Sequence, residues 1–257
     1  VKKYYGDWEK GKDPWNPMPD PQAFPAVQEP LYLVYPDPSF YKGMAVFYMY
    51  MRGPDVVREP KPTYAADIWG SLYDLPAGQF KKNIFEAVPN LYEKDQTWAN
   101  YYTQRDGGQI SFGTVAFVDP STPTGKRAKD FQKAIYNEIE KTKKDSAYFE
   151  KKEFEVVKRQ LEDAEILGLE KPDDFVETLS FWWSSASADY FFNYLKNMNK
   201  VTKADIDSFL QKYVLENQPI IIVRMNAEDY KNEIEAFKKE NFNLITRENC
   251  FWWGDKK

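Results

Sequence analysis

Histidine is absent from this sequence of 257 residues. Without an imidazole the chain can build no Ser-His-Asp triad, no Cys-His pair, no two-histidine zinc site and no histidine general base. The chemistry left to it is a carboxylate pair, a lysine or tyrosine base, or a site completed by another polypeptide. Cysteine is nearly absent too: Cys250 stands alone. No disulfide can close within the chain, which suits a reducing compartment and equally an envelope protein held by its core. No run approaches the ~20 apolar residues of a membrane-spanning helix. Neither a Met nor an apolar leader precedes Val1-Lys2-Lys3, so a processing or truncation point is expected just upstream. An excess of positive charge is also missing. With 35 basic and 40 acidic residues and a net charge of −5, the chain lacks long-range attraction for phosphate backbones or anionic lipids. Nucleic acid and membrane surfaces drop out as default partners.

What is present is a large apolar and aromatic inventory. Hydrophobic content of 42%, with 18 Phe, 18 Tyr and 8 Trp, is enough to bury a sizeable core, so the chain is globular. The most informative stretch runs from Thr202 to Met225. Thr202 and Asp205 are spaced as a capping box, and Ile206, Phe209, Leu210 and Tyr213 follow at helical spacing. After the turn at Pro219, Ile220-Ile221-Ile222-Val223 is a β-branched run without alternation, which predicts a strand covered on both faces or central in its sheet. The stretch is a helix that packs on a sheet.

The remaining pattern can be taken in order. Tyr4-Tyr5-Gly6 reads as a helix end, and Pro14, Pro17, Pro19, Pro21, Pro25 and Pro30 keep the next segment extended, as a spacer and not as a ligand for an aromatic groove. Strands are predicted over 31–35 and 43–51, the second apolar on both faces, and Arg52-Gly53-Pro54 stops it. Two helices follow, carried by Ala66, Ile68, Trp69, Leu72 and Tyr73, then by Phe80, Ile84 and Phe85. A hairpin over 97–104 and 109–118 turns on Arg105-Asp106-Gly107-Gly108. Helices are expected over 126–144, around Phe154–Leu167, over 175–183 and over 190–198, then a late helix over 227–239 and a closing strand over 242–246. The lysines of 126–144 alternate with acids and read as a solvated face. The carboxylates Glu162, Asp163 and Glu165 lie along one helix without the loop that holds a hard cation, and read as a wet helix face. The aromatic tail Phe251-Trp252-Trp253 is expected to cover the domain's own core.

This order resembles one half of the pitrilysin or insulinase-type zinc metallopeptidases, the group that includes the mitochondrial processing peptidases. Four places carry the likeness: Lys2 to Trp8, similar to the close of a first half; Phe47 to Pro54, the strand ending in Arg-Gly-Pro; Ala65 to Phe85, the helix pair; and Val201 to Val223, with its Val-Thr-x-x-Asp-Ile helix before the late strand. The resemblance implies an α+β fold in which helices pack on a mostly antiparallel sheet, that of the LuxS and processing-peptidase-like metallohydrolases. It also implies two domains of interest here: residues 1–30 as the end of a missing first half with a Pro-rich linker, and 31–257 as a non-catalytic peptidase-like domain.

In this family two homologous halves close like a clam around unfolded peptide, and the first bears zinc in His-x-x-Glu-His with a downstream Glu. A chain without histidine resembles only the second, non-catalytic half. The resemblance therefore implies no cofactor in this chain, zinc in the missing half, and two partners, the homologous catalytic half and an unfolded peptide substrate. It makes the chain by itself no enzyme but part of a zinc-dependent metalloendopeptidase, in a bacterial periplasm or envelope. The second halves often contribute an Arg and, shortly after it, a Tyr to substrate; those positions fall here at Pro89 and about Trp98, so the pair is lost or replaced, and no catalytic residue is carried over. Trp98, Tyr101 and Tyr102 are the candidate substrate contacts, with packing inside the hairpin as the other reading. A catalytically dead scaffold or assembly protein of the same family is the alternative function. A glycan-binding envelope protein is a third, resting on aromatic content alone.

Overall fold

The computed structural model describes residues 2–9, 11, 27–76, 78–246 and 248–250. The prolines from Pro14 to Pro25 and the tail Phe251-Trp252-Trp253 lie outside the described residues. A short helix α1 (Lys2–Tyr5) ends at Gly6, whose N–H donates to the carbonyl of Lys2 at 2.9 Å, as the sequence predicts.

Six strands form one sheet: β1 (Leu31–Asp37), β2 (Met44–Arg52), β3 (Trp98–Tyr102), β4 (Gln109–Phe117), β5 (Ile220–Asn226) and β6 (Asn243–Leu244), in the order β3-β4-β2-β5-β1-β6. The expectation of a mostly antiparallel sheet is corrected: the sheet is mixed. β2 pairs antiparallel with β4 and β5, and β3 with β4, but β1 pairs parallel with both β5 and β6. β1 and β2 are joined by a short turn yet do not touch as a ladder, because β5 lies between them. The chain then crosses over β1 through α9 (Ala227–Lys239) to reach β6, and a helical crossover returns a strand in the same direction. Hydrophobic pattern marks strands but does not name their neighbours.

The helices are α2 (Pro60–Asp74), α3 (Gln79–Ala87), α4 (Thr124–Lys144), α5 (Lys151–Gly168), α6 (Pro172–Ser185), α7 (Ala188–Met198), α8 (Lys203–Leu210) and α9. They pack on one side of the sheet. Ala45, Phe47, Met49 and Met51 of β2, Ile110 and Phe112 of β4, and Ile221, Val223 and Met225 of β5 all lie buried beneath them. Trp69 of α2 meets Phe112 with ring centroids 5.4 Å apart and Phe209 of α8 at 5.3 Å, while Phe131 of α4 lies 6.3 Å from Phe47. The capping box at Thr202 is present as spacing predicted: the Asp205 N–H donates to Thr202 Oγ1 at 3.3 Å, and the Thr202 N–H donates to Asp205 Oδ2 at 2.8 Å. α8 then widens into a π-helical turn over Gln211–Leu215, which places Tyr213 and Val214 in the core. The β3–β4 turn has Asp106 at φ 68° and Gly107 at φ 98°, the left-handed pair a tight hairpin end requires.

Candidate functional site

The opposite face of the sheet carries a different set of side chains. Residues facing one another across the ladders point the same way, so β register sorts them into rows. One row runs Trp98, Gly113, Tyr48, Ile222, Leu33, and the next runs Asn100, Ser111, Tyr50, Ile220, Leu31. A third runs Val115, Val46, Arg224, Tyr35. Along β2 the buried Ala45, Phe47 and Met49 alternate with half-buried Met44, Tyr48 and Tyr50, although Val46 on that second face is buried too, and along β5 buried Ile221 and Val223 alternate with half-buried Ile222 and Arg224. Among the described residues no helix lies on this side. The sequence reading that β2 and β5 are interior is therefore right for their place in the sheet, while among the described residues helices cover only one face of each.

The aromatic side chains on this face are held by packing. Tyr48 and Tyr50 stack with centroids 5.7 Å apart, and Trp98 meets Tyr48 edge-on at 5.8 Å. The Trp98 indole lies across Gly113, where an added Cβ would fall 1.9 Å from Cζ2. A glycine inside an apolar strand is a sequence signal for such close approach, and it was readable at Gly113. At one end of the face Arg224 donates through Nε to Asp37 Oδ2 at 2.9 Å. Hydrogen bonds from Ser39, then those from Arg224, bring the Asp37 carboxyl down to about 2, so this pair stays charged.

The three predicted contact residues do not share a direction. Trp98 and the exposed Tyr102 stand on the open face, whereas Tyr101 turns to the helix side. There its hydroxyl donates to the carbonyl of Pro54 at 2.9 Å and its ring covers Gly53 and Gly108, where an added Cβ would clash at 2.6 and 2.3 Å. Tyr101 thus locks the Arg52-Gly53-Pro54 turn to the β3–β4 hairpin. Burial pushes its phenol far up. Pro89 is exposed in the turn after α3.

All three of these residues border a cavity of about 680 Å³ at the β3 edge of the sheet, between α2, α5, α6 and α7. Its walls are aromatic, and three carboxyl groups, Asp67, Asp74 and Glu165, line it without any lysine or arginine. Asp74 is paired with Lys81 at 2.8 Å. Asp67 accepts a hydrogen bond from the Tyr194 hydroxyl at 2.9 Å. Burial raises the Asp67 carboxyl to about 7, a rise opposed by the hydrogen bonds from Tyr194 and Thr103. Burial also raises Glu165. Asp67 escaped the sequence reading because one acid in an apolar helix gives no signal until its neighbours are known. Of the acidic trio on α5, Asp163 forms an ion pair with Arg159 at 3.1 Å while Glu165 lines the cavity, so the three do not converge. Among the described residues no group of three His, Cys, Asp or Glu is arranged to hold a metal ion.

No protein-family model matches the chain, and no curated protein matches its sequence. Solved structures do match. A protease from Helicobacter pylori superposes with a TM-score of 0.61 at 14% identity, over 87% of this chain and 50% of that one. The inactive peptidase domain of a putative zinc protease from Bordetella parapertussis gives 0.55 at 14% identity, over 71% of this chain and 93% of that domain. A putative M16-like peptidase from Alicyclobacillus acidocaldarius gives 0.53 at 13% identity, over 75% and 43%. The chain has the M16-like peptidase fold. It spans about half the length of the Helicobacter pylori protease and nearly all of the Bordetella inactive domain. The likeness predicted from Arg-Gly-Pro, the helix pair and the Val-Thr-x-x-Asp-Ile helix thus agrees with the M16-like fold, which those motifs place on β2, α2 with α3, and α8. Among the described residues no helix is long and apolar enough to cross a membrane.

Proposed function

We propose that this chain is the non-catalytic half of an M16-type zinc protease, the processing-peptidase-like half fold, and that its open sheet face forms one wall of a chamber holding unfolded peptide for a catalytic half. One observation carries this reading: the rows through Trp98, Tyr48 and Ile222 and through Tyr50 and Ile220 form a largely apolar face that no helix covers among the described residues, on a fold with helices on the other side. Support also comes from the donor set, which lacks histidine, and from a match that covers 93% of an inactive peptidase domain and 71% of this chain. Zinc and the bond-breaking step belong to the other half, and this chain contributes binding and orientation of substrate. A periplasmic or envelope site fits a matching structure described as the periplasmic protease PqqL of Escherichia coli.

The test is fluorescence anisotropy with labelled unfolded polypeptides. The chain is expected to bind them, with Tyr48→Ala and Trp98→Ala each weakening binding several-fold and leaving far-UV circular dichroism unchanged. Undiminished binding by both variants, or no binding by the parent chain, refutes the assignment. The alternative, a catalytically dead scaffold of the same family, is favoured by the exposed Trp183 and Phe192 on α6 and α7, at 71% and 65% exposure. Binding of a stable protein partner with no affinity for unfolded peptide would decide for it.

A further inference from the structure

We propose that α6, with the C-terminal end of α5, is a lid over the cavity at the β3 edge, and that Asp67 governs it: the lid is closed while Asp67 holds a proton and opens more readily once Asp67 ionises.

The floor of the cavity is fixed, and its roof is not. Gly70 lets α2 lie directly on β3, where an added Cβ would already touch Asn100 Cα at 3.6 Å, and α2 buries nine of its 15 residues. α6 carries Phe175, Val176, Leu179, Phe181, Trp182 and Trp183, yet none of its 14 residues is buried. On α5 Val157 alone is buried. α6 is held to α7 by Trp182 on Tyr190, with ring centroids 5.0 Å apart, and by Phe175 on Phe191 at 6.1 Å. Residues 169–171 and 186–187 join it to α5 and α7, and short connections of this kind serve as hinges. An element with so little buried surface opens without the core.

Asp67 lines the floor of the same cavity, and no lysine or arginine lines it. From α7 the Tyr194 hydroxyl donates to its carboxylate at 2.9 Å. Burial raises the phenols around it, Tyr64 of α2, Tyr101 of β3, and Tyr190 and Tyr194 of α7, so none of them titrates near neutral pH. Glu165 of α5 faces the same space, Asp74 of α2 is paired with Lys81, and α6 adds only Phe181 and Trp182 to the lining. An ionised Asp67 therefore needs water. Lifting α6 admits it and leaves the packed floor intact. Burial holds the carboxyl up at about 7 against an ordinary 3.8, so the closed form keeps a proton that the open form releases. Opening then becomes about tenfold more frequent per pH unit between those two values and levels off above the higher one.

The experiment is amide hydrogen exchange of the 257-residue chain between about pH 5 and pH 8, read by mass spectrometry and corrected for intrinsic exchange. Amides of α6 are expected to exchange more than about tenfold faster than those of β4 at every pH, with little acceleration by dilute urea, the mark of a local opening. Their protection should fall about tenfold per unit up to about pH 7 and then level off. Asp67→Asn should flatten that profile, while Glu165→Gln should keep most of its slope. Tyr194→Phe removes a donor to the carboxylate and should carry the level-off to higher pH. Exchange of α6 in step with β4 refutes the lid, and a slope that Asp67→Asn keeps refutes its control by Asp67. If Asp67→Asn fails to fold, Tyr194→Phe decides: an unmoved profile overturns the proposal.

Discussion

Replacing Asp67 with asparagine should stabilise the protein at high pH and do little at low pH. Burial raises this carboxyl from its ordinary 3.8 to about 7. The native state therefore keeps a proton that the unfolded chain releases between those values, and stability falls as pH rises through that window. Above pH 7 the ionised group lies with the Tyr194 hydroxyl at 2.9 Å and, among the described residues, no lysine or arginine lining its cavity. A rise of roughly three units at about 1.4 kcal/mol each sets a ceiling of about 4 kcal/mol. Between pH 5 and pH 8 the share lost is about 2 to 3 kcal/mol. Asparagine keeps an oxygen to accept from Tyr194 and carries no charge, so the variant escapes that loss. Urea unfolding of both proteins at pH 5 and pH 8 measures it, since the other titrating groups cancel within each pair. An offset between variant and parent that is the same at both pH values would show that Asp67 is not held as an acid by burial, and the electrostatic argument for the cavity would go with it.

Three further outcomes are expected. Gly113→Ala places a methyl group 1.9 Å from the Trp98 ring position and should expel the indole, costing about 1 to 3 kcal/mol in urea unfolding with a red shift of tryptophan emission; unchanged emission would contradict the packing of that row. Thr202→Ala removes one half of the capping box and should cost about 1 kcal/mol, with Asp205→Ala costing less in the Thr202→Ala background than in the parent, as a double-mutant cycle reads directly. Metal analysis of the purified chain should find no tightly held zinc and peptide hydrolysis assays no activity; one zinc per chain surviving dialysis against chelator would refute the assignment to a non-catalytic half.

Much of the fold was legible in one dimension because its signals are local. The capping box at Thr202, the glycine turn after Arg105, the end at Gly6 and the helical spacing of Ile206, Phe209 and Leu210 are decided by residues within a turn of one another, and each stands where the sequence placed it. The missing imidazole likewise fixed what this chain cannot catalyse without reference to any contact. Pairing was another matter: β5 enters between β1 and β2 from far along the chain, so the parallel ladders that make the sheet mixed depend on which strand covers which edge. The apolar character of β2 and β5 was plain, but the fact that helices bury only one of their faces was not, since burial is a property of the neighbours. Tyr101 and Trp98 read as one aromatic group until strand alternation turned one toward Pro54 and left the other on the open face. Asp67, a lone acid in an apolar helix, acquires its raised carboxyl and its cavity only when α5, α7 and β3 close around it, because desolvation and charge complementarity exist only between elements brought together by the tertiary fold.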